Sequence, residues 1–351
     1  MKIKLTCKLY DGDAQYFIDP IKKNNLIKSL TLYRDNIIPD YNDIVQVDSF
    51  FKKINFLNFP IRFFKMIFLN GKADVFIGIY EIPHGMLSVL CSLILNKKSV
   101  VCIIGNPKYS IRNKGIRGLV TKFIYFKADI ITVTGLNSKN FLVNNKGVNS
   151  KKIYILPNSV PSEEYSKKII NKKYDLITLG RLSEEKGLFN LLEIVKHLKN
   201  KYYDVKLGVA GKGELYDKLK LKIQDLNLNK NIDLLGYVED SNLFLNSGKI
   251  FVSTSFTEGL PRTIIQSMFC GVPVVSSDVG DISDLIINGK NGFLIKDPNN
   301  IMEYVKQIDF ILSNSVKQQE LSKNCNEHVS KLYSHDKATR VWSEILNKLI
   351  I

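Results

Sequence analysis

No stretch of this sequence is apolar for long enough to cross a bilayer. The longest, Met86–Leu95, is interrupted by Ser88 and Ser92 and falls well short of the roughly 20 residues a spanning helix needs. The N-terminus lacks the long apolar segment of a secretory leader, so none is expected. Cysteine is sparse and unpatterned: Cys7, Cys91, Cys102, Cys270 and Cys325 are odd in number, scattered, and mostly inside apolar runs. That excludes a disulfide framework or a zinc site by spacing and fits a reducing cytoplasm. No recognised nucleic-acid-binding motif occurs. Nothing is lacking for a folded core, because 45% of the 351 residues are hydrophobic while glycine, proline and charge are ordinary. A chain of this length can hold two domains with full cores.

Acid is scarce in one half only. Residues 1–160 hold 24 Lys and Arg against 10 Asp and Glu, a net of +14, whereas residues 161–351 hold 26 against 24. A basic half beside a nearly neutral one points to an anionic partner, either a membrane surface or nucleic acid. A proteome rich in surface lysine would give the same count.

The first half alternates strand and helix signals. Lys2–Leu9 reads as a strand, Tyr10–Asp13 as a loop around Gly12, and Ala14 as the start of a helix. Ser29–Tyr33 and Ile44–Val47 are further strands. Phe50–Leu69 carries Phe50, Phe51, Phe56, Phe59, Phe63, Phe64 and Phe68 among Lys52, Lys53, Arg62 and Lys65. Cations among aromatics suit a helix lying in the headgroup layer, though a core helix with a solvated basic face fits too. Pro60 divides the stretch into two expected elements. Ala73–Ile79 is a buried-type strand, and His84 follows in Glu81–Gly85, ahead of the helix Met86–Leu95. That is where open α/β sheets place ligand residues. Ser99–Ile104 is a strand, and Lys108–Lys127 is a second basic amphipathic candidate in which Arg112 and Arg117 could bind a phosphate. Asp129–Val133 and Ile153–Leu156 complete the strands of this half. Polar residues 161–173 read as an interdomain linker.

The second half is punctuated by glycine. The strand Tyr174–Leu179 leads into Gly180-Arg181-Leu182-Ser183-Glu184-Glu185-Lys186-Gly187, then the helix Leu188–Leu198. The strand Val205–Ala210 ends in Gly211-Lys212-Gly213. Two cations and a glycine turn near a helix N-terminus make a diphosphate cradle. Most distinctive is Ser253–Ser276, STSFTEGLPRTIIQSMFCGVPVVS. A polar loop ends at Glu258, Pro261 suits a helix start, and Ile264, Ile265, Met268 and Phe269 recur at helical spacing. The helix N-terminus offers free N–H groups and the positive dipole end to an anion. Glu258 can accept hydrogen bonds from hydroxyls, and Gln266 lies two turns further on, roughly on the same face.

Glu258-Gly-Leu-Pro through Gln266 to Gly271-Val-Pro-Val-Val resembles the signature of family 4 of the retaining glycosyltransferases. Gly180-Arg181 with Lys186-Gly187, Gly211-Lys212-Gly213, Asp278-Val279-Gly280 and Asn291-Gly292-Phe293-Leu294 match further motifs of that family in order. Pro157-Asn158 matches the end of its N-terminal domain, and Ile82-Pro83-His84-Gly85 resembles the histidine loop of members that build bacterial surface polysaccharides. The resemblance implies the GT-B fold, an α/β architecture of two Rossmann-like domains facing each other across a deep cleft. It implies an N-terminal acceptor domain over 1–160, the linker 161–173, a donor domain over 174–330, and a C-terminal helix in 331–351 packing back towards the N-terminal domain. It also implies the roles of the site residues. Arg181 and Lys186 would neutralise the diphosphate of a UDP- or GDP-linked sugar, in place of a metal and with no further cofactor. Glu258 would meet the transferred sugar, with N–H groups of Gly259 and Leu260 adding donors. His84 would approach that sugar from the first domain. Gly180, Gly211 and Gly213 would shape the nucleotide site, and Gln266 would face the ribose.

Two departures stand out. The family's second glutamate is Gln266 here, which keeps an acceptor but loses charge assistance. Asp11-Gly12-Asp13-Ala14 replaces the common double glycine of the first loop. The expected protein is therefore a metal-independent hexosyltransferase, peripheral on the inner face of the plasma membrane. Its acceptor would be a lipid-linked or oligosaccharide molecule, in capsule, exopolysaccharide or lipopolysaccharide synthesis. Anionic lipid and not nucleic acid would be the partner of the basic half. A catalytically silent GT-B protein that binds a nucleotide or a partner is the alternative, and Gln266 is its support.

Overall fold

The computed structural model describes residues 1–350 except 10, 36–37, 39–40, 42–43, 48–54, 109–114 and 202–203, and the backbone alone of 11–14 and 55–57. The chain divides into two compact units, Met1–Asn158 with His335–Ile351, and Ser159–Ser334. The first runs β1 (Lys2–Thr6), α1 (Asp11–Lys22), β2 (Ser29–Tyr33), β3 (Val45–Val47), α2 (Asn55–Phe68) and β4 (Val75–Ile79). It continues through α3 (Met86–Leu95), β5 (Lys98–Ile103), α4 (Gly115–Lys127), β6 (Ile130–Val133), α5 (Leu136–Lys146) and β7 (Ile153–Ile155). The second unit opens with β8 (Tyr174–Leu179), α6 (Leu188–Lys199), β9 (Leu207–Ala210), α7 (Tyr216–Asp225), β10 (Ile232–Gly236) and α8 (Ser241–Asn246). After β11 (Gly248–Ser253) come α9 (Arg262–Phe269), β12 (Val274–Ser277), α10 (Ile282–Leu285), β13 (Gly292–Ile295), α11 (Ile301–Ser313) and α12 (Ser315–Leu332). Helix α13 (His335–Ile350) then rejoins the first unit.

Each unit is built on a parallel sheet, ordered β3-β2-β1-β4-β5-β6-β7 in the first and β10-β9-β8-β11-β12-β13 in the second. Parallel strands covered on both faces read as continuous apolar runs. In β5, only Lys98 of Lys-Ser-Val-Val-Cys-Ile is exposed. Trp342 of α13 is 1% exposed and joins the core formed by Leu5, Ile18 and Ile77. All five cysteines are buried, and burial pushes the thiols of Cys91, Cys102, Cys270 and Cys325 up to about 12. Such thiols stay protonated and unreactive near neutral pH.

Three expectations need correction. Residues 161–173 belong to the second unit, where Tyr165 is buried in a core cluster with Tyr174 and Phe244. Their polar composition hid that one aromatic anchor. Helix α1 begins at Asp11, not Ala14. Pro60 sits inside the single helix α2. An internal proline costs about 3 kcal/mol, which the packing of Phe59, Phe63, Met66 and Ile67 into one core cluster offsets.

Strand order reverses once in each sheet, between β1 and β4 and between β8 and β11. The loops leaving such a neighbouring pair run to opposite sides and open a crevice at the carboxyl ends, where α/β sheets bind ligands.

Candidate functional site

At the second unit's switch point, the loop after β8 and the loop after β11 meet through an ion pair. Lys186 Nζ lies 2.6 Å from Glu258 Oε1, and the Glu258 side chain is only 11% exposed. Ser255 Oγ donates to the same oxygen at 2.7 Å. Oε2 takes no hydrogen bond from the described residues, so it can accept one from a hydroxyl. Lysine carries three N–H donors, and an ammonium already bonded to Glu258 can still turn others towards a phosphate. Backbone contacts hold the loops themselves. Thr254 Oγ1 donates to the carbonyls of Lys186 and Gly187 at 3.1 and 2.9 Å. Phe256 N–H donates to Glu185 O at 2.8 Å, and Ser277 Oγ donates to Ser255 O at 2.6 Å.

The glycines here are set by close approach. Gly211 has φ +140°, and a Cβ on it would stand 1.7 Å from Gly180 O. A Cβ on Gly213 would stand 2.2 Å from Leu182 O. The Gly211–Gly213 turn thus presses its backbone onto the Gly180–Leu182 segment, and Leu182 N–H donates to Lys212 O at 2.9 Å. The loops after β8 and β11 border an open crevice lined by Gly180, Arg181, Lys186, Ser253, Ser255, Glu258 and Thr263 among others.

The structure brings together Gly180, Arg181, Lys186, Gly211, Gly213 and Glu258. Arg181 is the outlier among them, with its side chain 62% exposed and 3.8 Å from Glu185. Gly259 O accepts from Asp281 N–H at 2.9 Å, and Leu260 is buried in the core behind the loop. Gln266 is buried in α9. Ser255 and Thr254 were legible only as polar loop residues, although the three-residue step from Ser255 to Glu258 is a spacing at which side chains bond locally.

His84 lies in the first unit, at that sheet's own switch point. It follows β4, and its Nδ1 is 2.8 Å from Thr6 Oγ1 at the end of β1. A Cβ on Gly78 would meet His84 O at 2.3 Å, so glycine in β4 lets the histidine turn fold back over the strand. Arg62 Nη1 is 3.3 Å from the same Nδ1, and Arg62 Nη2 donates to Asp35 Oδ1. This corrects the lipid-facing reading of Arg62. At 6% exposed, it is turned inward, and burial lowers its pKa while Asp35 raises it. Asp35 and Thr6 carried no signal in the sequence, because neither stands near His84 along the chain.

Residues 161–328 match the family described as Glycosyl transferases group 1. The chain is 28% identical over 324 residues to an uncharacterized glycosyltransferase of Methanocaldococcus jannaschii, covering 84% of this chain and 79% of that protein. It is 25% identical over 327 residues to the poly(ribitol-phosphate) alpha-N-acetylglucosaminyltransferase of Staphylococcus aureus, covering 93% of this chain. It is 28% identical over 206 residues to the UDP-Gal:alpha-D-GlcNAc-diphosphoundecaprenol alpha-1,3-galactosyltransferase of Escherichia coli, covering 54% of this chain. Of these last two proteins it spans 59% and 53% of the length. Among solved structures, that of HepE from Anabaena in complex with UDP superposes with a TM-score of 0.84 over 99% of both chains, at 17% identity. In fold the chain is two parallel-sheet Rossmann-like units of the GT-B kind, and residues 161–328, within the second of them, match the Glycosyl transferases group 1 family.

Proposed function

We propose that this protein is a retaining glycosyltransferase that moves a hexose from a nucleoside-diphosphate sugar to a lipid-linked saccharide. The observation that carries this reading is the Lys186–Glu258 pair at the switch point of the matched domain. In the proposed reaction the bond from the anomeric carbon to the diphosphate oxygen breaks, and its electron pair leaves with the nucleoside diphosphate. The acceptor hydroxyl oxygen bonds to that carbon on the face the leaving group vacates and passes its proton to the departing diphosphate oxygen. Negative charge grows on the departing phosphate, where Lys186 and Arg181 stabilise it. Glu258, steadied through Oε1, offers Oε2 to a hydroxyl of the transferred sugar. Release of nucleotide from a panel of sugar donors tests the reading. HepE has also been solved with UDP-glucose, so UDP-linked sugars head the panel.

The acceptor side of the proposal rests on the first unit's surface. Helices α2, α3 and α4 contain no Asp or Glu, and α3 packs against both of its neighbours. Phe64, Phe68, Leu93, Ile94, Ile116, Leu119, Phe123 and Phe126 on them are exposed, beside exposed Arg117, Lys122 and Lys127. Ile116, Leu119, Phe123 and Phe126 form a helical stripe. Apolar side chains flanked by cations alone suit an anionic membrane surface, the place of a lipid-linked acceptor. Phe50, Phe51, Lys52, Lys53, Arg112 and Lys114, and the side chain of Phe56, lie outside the described residues. No described helix is long and apolar enough to cross a membrane.

Co-sedimentation with vesicles checks this surface. The protein is expected to bind vesicles containing phosphatidylglycerol and to release from them at high salt. Leu119→Glu with Phe123→Glu should weaken binding by at least about tenfold, through lost burial and added repulsion. Equal retention of both proteins, or preference for duplex DNA, would remove the membrane from the account.

A further inference from the structure

Two donors converge on one ring nitrogen of His84. Thr6 Oγ1 is 2.8 Å and Arg62 Nη1 3.3 Å from Nδ1. A guanidinium has N–H groups and no acceptor, and it stays charged at any ordinary pH. Its contact therefore requires a lone pair on Nδ1, which puts the proton of the neutral ring on Nε2. The Thr6 hydroxyl, able to donate or accept, is then the donor in its pair. Arg62 is in turn held by Asp35.

We infer that Arg62 is a positioning residue that fixes His84 as the Nε2–H tautomer; Nε2 is itself buried in the free protein, and a substrate group that reaches it meets a hydrogen-bond donor and not a lone pair. The inference rests on the reading in which His84 contacts substrate, and it narrows that contact. An Nε2–H can bind a hydroxyl or phosphate oxygen. It has no lone pair with which to take the proton from an acceptor hydroxyl, so base chemistry by His84 is excluded in this state. Sequence position gave no hint of it, since Thr6 and His84 are 78 residues apart and Arg62 and His84 are 22 apart. The strand order joins the first pair, because β1 and β4 are neighbours.

The test is the long-range proton–nitrogen spectrum of the full chain labelled with ¹⁵N-histidine. There are four histidines, and His84→Ala identifies the signal by its loss. The wild type is expected to give the pattern of a protonated Nε2 and a bare Nδ1. Arg62→Met should bring in the Nδ1–H form and lower kcat about tenfold, the worth of one hydrogen bond, with KM for the donor little changed. Arg62→Lys, which keeps a charged donor, should restore both. A wild-type spectrum with the proton on Nδ1 overturns the proposal, and that measurement needs no variant to fold. So does an Arg62→Met protein with both tautomer and kcat unaltered. An Nε2–H spectrum together with full turnover in His84→Ala supports the tautomer and overturns the substrate contact, so the two failures are separate.

Discussion

Lys186→Ala is expected to lower kcat by roughly 10²–10³-fold, the usual cost of removing one group aimed at charge that develops in a transition state. The geometry explains why the loss is catalytic more than structural. The loop carrying Lys186 is held by its backbone, through the bonds from Thr254 to the carbonyls of Lys186 and Gly187 and from Phe256 N–H to Glu185 O. None of these needs the lysine side chain. Glu258 would lose one partner, but Ser255 still donates to it at 2.7 Å and the crevice is open to water. Steady-state kinetics at saturating donor, with a melting curve for each protein, separates the two effects. Arg181→Ala is expected to cost less, because that side chain is 62% exposed and reaches only Glu185 in the free protein. A solvated arginine must be ordered by the substrate before it contributes.

Gly211→Ala should be the most damaging small substitution in the second unit. A side chain at φ +140° costs about 1–3 kcal/mol in backbone strain alone. The added Cβ would also stand 1.7 Å from Gly180 O, which is backbone and cannot rotate away, and overpacking of this kind adds about 1–3 kcal/mol. Together these predict a loss of about 2–6 kcal/mol and a fall in melting temperature of roughly 4–24 °C. Gly289→Ala is the control. Gly289 has φ +75° with nothing within 4 Å of a Cβ, so only conformational strain remains, about 1 kcal/mol and roughly 2–4 °C. Equal melting temperatures for the two variants would mean that the Gly211 turn does not press on Gly180.

The second unit was far more legible in the sequence than the first, for a physical reason. The loops of its candidate site each leave a strand whose apolar run is unmistakable and end at a glycine or proline that fixes the turn. Tyr174–Leu179 was readable to the residue, and the helix after Pro261 to within one or two. Contacts across the sheet were not readable. That Lys186 would bond Glu258 follows from β8 lying beside β11, a fact of strand order that no local pattern encodes. The Phe50–Leu69 stretch shows a second kind of failure. Helix α2 is amphipathic, but taking its cations as outward-facing missed that Arg62 turns inward while Phe64 and Phe68 turn out. The packing of the C-terminal helix on the first domain was expected from the resemblance alone, and Trp342 of α13 finds its core in residues from the other end of the chain.

In the proposed reaction the loops after β8, β9 and β11 bind a nucleoside-diphosphate sugar and help its bond to break. The most direct measurement is nucleotide release from UDP- and GDP-linked sugars, by wild type and by a protein carrying both Arg181→Ala and Lys186→Ala. The wild type is expected to release nucleotide from at least one donor, faster when a lipid-linked acceptor is added, and the double variant to lose that release while keeping its melting curve. Binding without release across the whole panel, or undiminished release by the double variant, would contradict the proposed reaction.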